Sequence, residues 1–224
     1  MEYSRIRNYI LSHTSGNGGV LFDIEKSAHD ADIPIIRKDT EKWLKQFLKI
    51  TKPKRILEIG TAVGYSSIIM ASVLDELYED NRDSWIIDTL ELDAERIKIA
   101  IENIHLAGYE DKINIHEGDA VETLTSLQNK KDVSHYDFIF IDAAKAQYMN
   151  YLDLSLKLSH EGTILVTDNI FEDGKVLESH FLVEKRDRTI HDRMREYIYH
   201  ITHAPNLETV LFPIGDGISV SIVK

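Results

Sequence analysis

Arg55-Ile-Leu-Glu-Ile-Gly60-Thr-Ala-Val-Gly64-Tyr-Ser66 is an apolar run that closes on a glycine and opens into helical sequence. A short apolar run of this kind marks a buried strand, and the helical pattern after it extends to about Tyr78. The start of that helix offers free N–H groups, and the glycines let the backbone approach a ligand closely. The spacing is G-x-x-x-G, not the G-x-G-x-x-G of dinucleotide-binding turns, which counts against a nicotinamide-dependent oxidoreductase. Glu58, just ahead of the first glycine, suits a cationic ligand better than a pyrophosphate. Taken alone, the stretch also reads as a tight strand–helix turn with no ligand.

Outward from this stretch, strand and helix signals alternate. Trp85–Leu92 reads as a second strand, followed by a helix from Ala94 to about Ala107 that Gly108 stops. Lys112–Glu117 is a third strand, ending at Gly118-Asp119. Tyr136–Ile141 is a fourth, ending at Asp142, with a helix over Gln147–Leu158. Thr163–Thr167 is a fifth, ending at Asp168-Asn169. A charged helix is predicted from about Lys185 to Ile201. Leu207–Pro213 and Ile218–Val223, joined by Gly215-Asp-Gly217, read as a hairpin. Residues 1–50 read as helical, with apolar spacing at Trp43, Leu44, Phe47 and Leu48. The pattern predicts a single α/β unit over 1–224, with a helical extension at 1–50 and a Rossmann-like core at 54–224. Its sheet is mostly parallel, with helices on both faces and a C-terminal antiparallel hairpin. In such sheets ligands bind beyond the carboxyl ends of the strands.

The chain has 224 residues, 43% of them hydrophobic and 29% charged, an ordinary balance for a soluble domain. It contains no cysteine, so disulfides, thiolate metal sites and cysteine nucleophiles are excluded. Any metal must rest on oxygen or imidazole, which favours magnesium, calcium or manganese over a structural zinc. The ten histidines show no H-x-x-x-H or H-E-x-x-H pairing and read as surface or structural residues. The net charge of −12 argues against broad nucleic-acid binding. No stretch is long and apolar enough to span a bilayer, and the first residues lack a signal-peptide pattern. A cytoplasmic protein with no membrane association is expected.

The chemistry-bearing residues cluster at strand ends. Glu91 ends the second strand, where a carboxylate commonly holds the two ribose hydroxyls of a nucleoside; a solvent-facing acid is as good a reading, and Asp93 lies close by. Asp119 can accept from an adenine amino group, cap the next helix, or do both. Asp142, Asp168 and Asn169 end adjacent strands, about 4.8 Å apart in a parallel sheet, so three oxygen ligands can converge. Two carboxylates and an amide suit a hard divalent cation with open positions. Lys145, beside that cation, would have its neutral form favoured and could act as a general base on a hydroxyl. Each is individually also an ordinary turn or surface residue.

Three motifs together, Leu57–Ser66, Phe140-Ile-Asp142-Ala-Ala-Lys145 and Val166-Thr-Asp168-Asn169, make the chain resemble the cation-dependent O-methyltransferases, the catechol and caffeoyl-CoA type. The resemblance runs from about Ile33 to the C-terminus and implies a class I methyltransferase fold with a seven-stranded sheet and a homodimer. It implies S-adenosyl-L-methionine as cofactor, with Ile36, Glu58, Gly60, Ser66, Glu91, Gly118, Asp119 and Asp142 around it. It further implies Mg²⁺, or another divalent cation such as Mn²⁺ or Ca²⁺, on Asp142, Asp168 and Asn169, with Lys145 and Asp142 catalytic. Within the superfamily, Ile33-Pro-Ile-Ile36, Ile50–Gly60 and Phe212–Ile218 look most like the bacterial tRNA 5-hydroxyuridine methyltransferases. That likeness implies a wobble uridine of the tRNA anticodon as substrate, giving 5-methoxyuridine; a small catechol or phenol is the alternative. Phe171-Glu-Asp-Gly174 departs from the relatives' more apolar Leu-Phe-x-Gly, and the acidic stretch 75–83 is longer. The densest basic run, Lys185, Arg186, Arg188, Arg193 and Arg195, could grip anticodon phosphates. Glu184, Asp187, Asp192 and Glu196 are interleaved with it, as on a solvated helix face.

Overall fold

The computed structural model describes residues 2–129 and 135–224. Five parallel strands, β1 (Arg55–Ile59), β2 (Ile86–Glu91), β3 (Ile113–Glu117), β4 (Tyr136–Ile141) and β5 (Ser159–Thr167), are followed by the hairpin β6 (Leu207–Phe212) and β7 (Ile218–Val223). They form one seven-stranded sheet in the order β3-β2-β1-β4-β5-β7-β6, with β7 antiparallel to both neighbours. The chain reverses its direction of travel across the sheet between β1 and β4, the switch point where doubly wound sheets open a crevice.

The strand pattern sorts the core by face. Ile56, Phe138 and Phe140 point to one side, against Leu44, Leu48, Ile68 and Ile69 of helices α3 (Lys38–Thr51) and α4 (Tyr65–Leu77), with α2 (Gly19–Asp30) outside them. Leu57, Ile59, Ile139 and Ile141 point to the other, against α6 (Ala120–Gln128), α7 (Tyr148–Leu156) and α8 (Arg188–His203). A period of two on each strand builds both cores at once, and each fully buried aliphatic side chain contributes roughly 1.5–3 kcal/mol. On α8 the buried face is His191, Met194, Tyr197 and Ile201, at helical spacing.

Local chemistry sets the helix ends. Asp93 caps α5 (Ala94–Ala107) by accepting from the N–H groups of Glu95 and Arg96, and Gly108 ends it at φ 75°. Asp119 caps α6 by accepting from Val121 and Glu122. Lys52, at φ 50°, closes α3 just before Pro53.

Several boundaries differ from the sequence expectation. The helical extension is three separate helices, since α1 (Glu2–Ser12) stops before the glycine-rich stretch 16–19. Strand β5 starts at Ser159 rather than Thr163, continuing through Gly162 at φ 89° beside a register shift against β4. Helix α8 starts at Arg188, so Lys185 and Arg186 lie outside it. Helix α6 was legible only as the cap at Asp119. The acidic stretch 75–83 is the end of α4 and the turn after it, where Asp75 pairs with Arg82 at 2.6 Å.

Strand register aligns the site. Ile59 stands opposite Leu90 and Ile141, and Ile141 opposite Thr167. Gly60, Glu91, Asp142 and Asp168 are therefore the next residues out on four neighbouring strands. Gly60 sits at φ 109°, and a Cβ there would lie 2.0 Å from the Asp142 carbonyl oxygen. Gly60→Ala is expected to cost about 3 kcal/mol in urea denaturation, from overlap plus backbone strain. Gly162→Ala, also at positive φ but with nothing within 4 Å, is expected to cost only about 1–2 kcal/mol.

Candidate active site at the carboxyl ends of the strands

A cavity of about 580 Å³ opens beyond the ends of β1, β2, β3 and β4. Ile36, Gly60, Ser66, Glu91, Gly118, Asp119, Asp142 and Asn169 all line it. Its size suits a nucleoside-bearing ligand.

The Glu91 carboxylate is held in place by three backbone amides. Ala62 N–H donates to one oxygen at 2.8 Å, and Leu92 and Asp93 N–H donate to the other at 3.0 Å each. Asp93 is itself committed to its helix cap, so Glu91 is the carboxylate that faces the cavity. Asp119 lines the cavity while one of its oxygens caps α6. Tyr151 of α7 joins this wall; burial, with Asp119 and Glu91 nearby, pushes its phenol pKa up.

Glu58 stands behind the cavity wall and is fully buried. Ser66 and Thr89 each donate to it at 2.5 Å, and Ser67 donates as well. The Ser66 hydroxyl is thus turned away from the cavity toward Glu58, which locks the first turn of α4 onto β1.

Asp142 and Asp168 lie side by side at the ends of β4 and β5. Asn169, at φ 59°, swings back so that its amide Nδ2 donates to Asp142 Oδ1 at 2.8 Å. Burial pushes the pKa of both carboxyls up; Asp142 adds to the rise at Asp168, while the Asn169 bond and Lys145 oppose it at Asp142. Two carboxylates this close, one buried and one half-buried, disfavour ionising together, and a divalent cation between them would remove that cost. A half-turn of the Asn169 amide presents its oxygen to the same point. The donor set therefore fits a hard divalent cation. Lys145 begins a short 3-10 turn after β4, with Nζ 3.8 Å from Asp216 Oδ2.

Arg37, Leu92 and Arg96 also line the cavity and were not singled out in the sequence. Arg37 reaches across to Asp173 at 2.5 Å, and Asp216 accepts from the Asp173 N–H at 2.6 Å. The departure Phe171–Gly174 is thereby tied to the loop before α3 at one edge of the cavity. No local pattern marks Arg37, because its partner is distant in sequence.

The basic run does not form one free face. Arg188 Nε donates to Val183 O at 3.1 Å, Arg193 to Ala146 O at 2.9 Å and Arg195 to Glu178 O at 3.2 Å. Arg186 pairs with Glu184 at 3.0 Å and, like Lys185, is exposed. Three of the five side chains thus donate to backbone carbonyls of the segments beside α8.

A nucleoside-sized cavity over a seven-stranded sheet with a terminal antiparallel hairpin defines a Rossmann-like methyltransferase. The model of a family described as O-methyltransferase matches residues 21–223. A catechol O-methyltransferase of Niastella koreensis is 33% identical over 178 residues, 79% of this chain and 77% of that one. A caffeoyl-CoA O-methyltransferase of Medicago sativa is 29% identical, over 86% of this chain and 76% of that one. The crystal structure of an O-methyltransferase from Bacillus cereus in complex with SAH superposes with a TM-score of 0.83 at 26% identity, covering 98% and 97% of the two chains. The chain belongs to the O-methyltransferase family and is an S-adenosylmethionine-dependent O-methyltransferase of the catechol/caffeoyl-CoA type.

Burial lifts the Glu58 pKa from 4.5 to about 7, against the pull of its three hydroxyl donors. Between those values the folded protein holds a proton that the unfolded chain releases. Glu58 therefore stabilises the fold fully below about pH 4.5, and that contribution fades as the pH rises toward 7. Glu58→Gln does not titrate, so its stability relative to wild type is expected to improve by about 3 kcal/mol between those limits. Urea denaturation of metal-free protein across this range measures the gap; a gap constant with pH contradicts a proton on buried Glu58.

Proposed function

We propose that the protein methylates one of two neighbouring oxygens on a planar aromatic acceptor, a catechol or related phenol, in a divalent-cation-dependent reaction. The observation that carries this reading is the pairing of Asp142 and Asp168 on adjacent strand ends, beside the cavity and with Asn169 folded onto them. The kinship with catechol and caffeoyl-CoA O-methyltransferases supports the acceptor class.

In this scheme Glu91, oriented by its three amide donors, accepts the ribose hydroxyls of S-adenosylmethionine. Asp119 offers its remaining oxygen to the adenine amino group, and Ile36, Gly60 and Gly118 shape the pocket. Asp142, Asp168 and Asn169 would hold Mg²⁺ or a similar ion, which would supply Lewis-acid polarisation of the two acceptor oxygens and ease loss of the hydroxyl proton. Lys145 takes the hydroxyl proton. The acceptor oxygen then bonds to the methyl carbon as its bond to sulfur breaks, leaving a methyl ether and S-adenosylhomocysteine.

A second reading keeps 5-hydroxyuridine of a tRNA anticodon as the acceptor, since its C5 hydroxyl and C4 carbonyl offer the same pair of oxygens. One observation favours it: Phe181, Leu182, Lys185 and Arg186 are all exposed close together in the chain, a mixed apolar and basic surface of the kind that stacks bases and meets phosphates.

Mass spectrometry of products from catechols and from hydroxylated tRNA, each with S-adenosylmethionine and Mg²⁺, separates the two. Methylated catechol, lost on adding a chelator, is the expected result; turnover of tRNA alone replaces the first reading by the second. Methylation of neither sinks both. Lys145→Ala is expected to lower kcat about 100-fold or more, with S-adenosylhomocysteine affinity unchanged. Glu91→Ala is expected to weaken S-adenosylhomocysteine binding about 10–100-fold in calorimetry, the loss of charge-assisted hydrogen bonds.

A further inference from the structure

Away from the strand ends, two histidines and an aspartate meet where the segment after Leu177 folds onto α8. His180 comes from that segment, and His191 and Asp192 from the helix. The ligand atoms of all three lie within 4.8 Å of one another, the only such group of His, Asp and Glu among the described residues. His180 Nδ1 is 2.8 Å and His191 Nδ1 3.1 Å from the same oxygen, Asp192 Oδ1.

The hydrogen-bond inventory of His191 is the telling feature. Its ring is buried, with the side chain 1% exposed. Its Nε2 faces the carbonyl oxygen of Glu178 at 3.2 Å, and a carbonyl can only accept, so Nε2 carries a proton. In the neutral ring this leaves Nδ1 with a bare lone pair, directed at a carboxylate oxygen that is also an acceptor. Something positive belongs between them. A metal ion meets that need while using the lone pairs of His180 Nδ1, His191 Nδ1 and Asp192 together. An imidazole that ligates a metal through one nitrogen and donates its other N–H to a backbone carbonyl is the usual arrangement of a metal-binding histidine.

The spacing fits a small tetrahedral ion. Bonds of about 2.0–2.1 Å to nitrogen and oxygen put neighbouring ligands about 3.3 Å apart in a tetrahedron. The separations of 2.8 and 3.1 Å from Asp192 Oδ1 fall short of that edge by about 0.5 and 0.2 Å, so the ion would seat with a small outward shift of the ligands. Two imidazoles and one carboxylate suit Zn²⁺ far better than Mg²⁺ or Ca²⁺, which take mostly oxygen. His180 and Asp192 are partly open to solvent, with side chains 41% and 55% exposed, which leaves an entry path and room for a water as fourth ligand.

We propose that His180, His191 and Asp192 form a zinc site, separate from the Asp142–Asp168–Asn169 group, that staples the segment after Leu177 to α8. That segment continues from the turn that carries Asp173 to Arg37 at the cavity edge, so the ion would steady one side of the catalytic mouth. Arg195, which donates to the same Glu178 carbonyl as His191, already reinforces the junction.

The test is calorimetric titration of the full chain with ZnCl₂ in millimolar Mg²⁺, on wild type, Asp142→Asn and His180→Ala. The expected result is one Zn²⁺ per chain in wild type and in Asp142→Asn. His180→Ala should bind at least about 30-fold more weakly, since loss of even an outer partner costs about 10–100-fold. Substitution by Co²⁺ should give visible ligand-field absorption that His180→Ala abolishes and Asp142→Asn retains. His180 is half-buried and lies outside both core clusters, so its removal is expected to leave the core packing intact, which circular dichroism checks. Absence of saturable Zn²⁺ binding in wild type would overturn the proposal. So would equal affinity in His180→Ala, or loss of binding in Asp142→Asn alone.

Discussion

Everything at the working end of this molecule depends on the contact between Gly60 and the carbonyl of Asp142. With no side chain at Gly60, the end of β1 can lie directly against the end of β4. The turn that opens α4 and the acid that follows β4 then face the same space. Parallel pairing extends the alignment on both sides, since the amides of Gly60, Asp142, Asp168 and Gly118 each continue the ladder one residue past a neighbouring strand. The cavity and the paired carboxylates are thus two consequences of one register.

The second organising fact is an imbalance of charge. Glu58 and Asp168 are buried and Asp142 is half-buried, all within one turn of the strand ends, and desolvation raises the pKa of all three. They resolve the problem differently. Glu58 is surrounded by hydroxyl donors and serves as a structural tie between β1 and α4. Asp142 and Asp168 end adjacent strands, with Lys145 acting on the first and Arg37 on the second, a donor set that fits a divalent ion. Glu41 makes the contrast plain. It is also buried, but Lys38, Lys45 and the Tyr65 hydroxyl hold its pKa down to about 2. Burial alone does not decide the charge state of a carboxyl; the partners that the fold brings do.

The arginines of α8 show how a dense run of charge in the sequence also takes part in packing the fold. Their density in an acidic chain is unusual, and electrostatics alone suggests a polyanion. In the folded chain, Arg188, Arg193 and Arg195 donate to backbone carbonyls of the segments beside α8. A guanidinium has five donors and a long stem, so it serves as well for fastening a loop as for gripping a phosphate. Which of the two it does is set by what lies opposite.

The sequence by itself determined the alternation of strands and helices, the mostly parallel sheet with its closing hairpin, and the strand-end positions of Gly60, Glu91, Gly118, Asp142 and Asp168. These were legible because period-two strands, glycine stops and acidic caps are local signals, and because a parallel sheet sends its carboxyl ends to one side. The tertiary structure alone decided that Glu58 faces inward, that Arg37 crosses to Asp173, that Tyr151 and Leu92 wall the cavity, and that His180 meets His191 and Asp192. Each of those is a pairing between segments with no shared periodicity. Its partner becomes known only when the sheet has fixed which loops stand side by side.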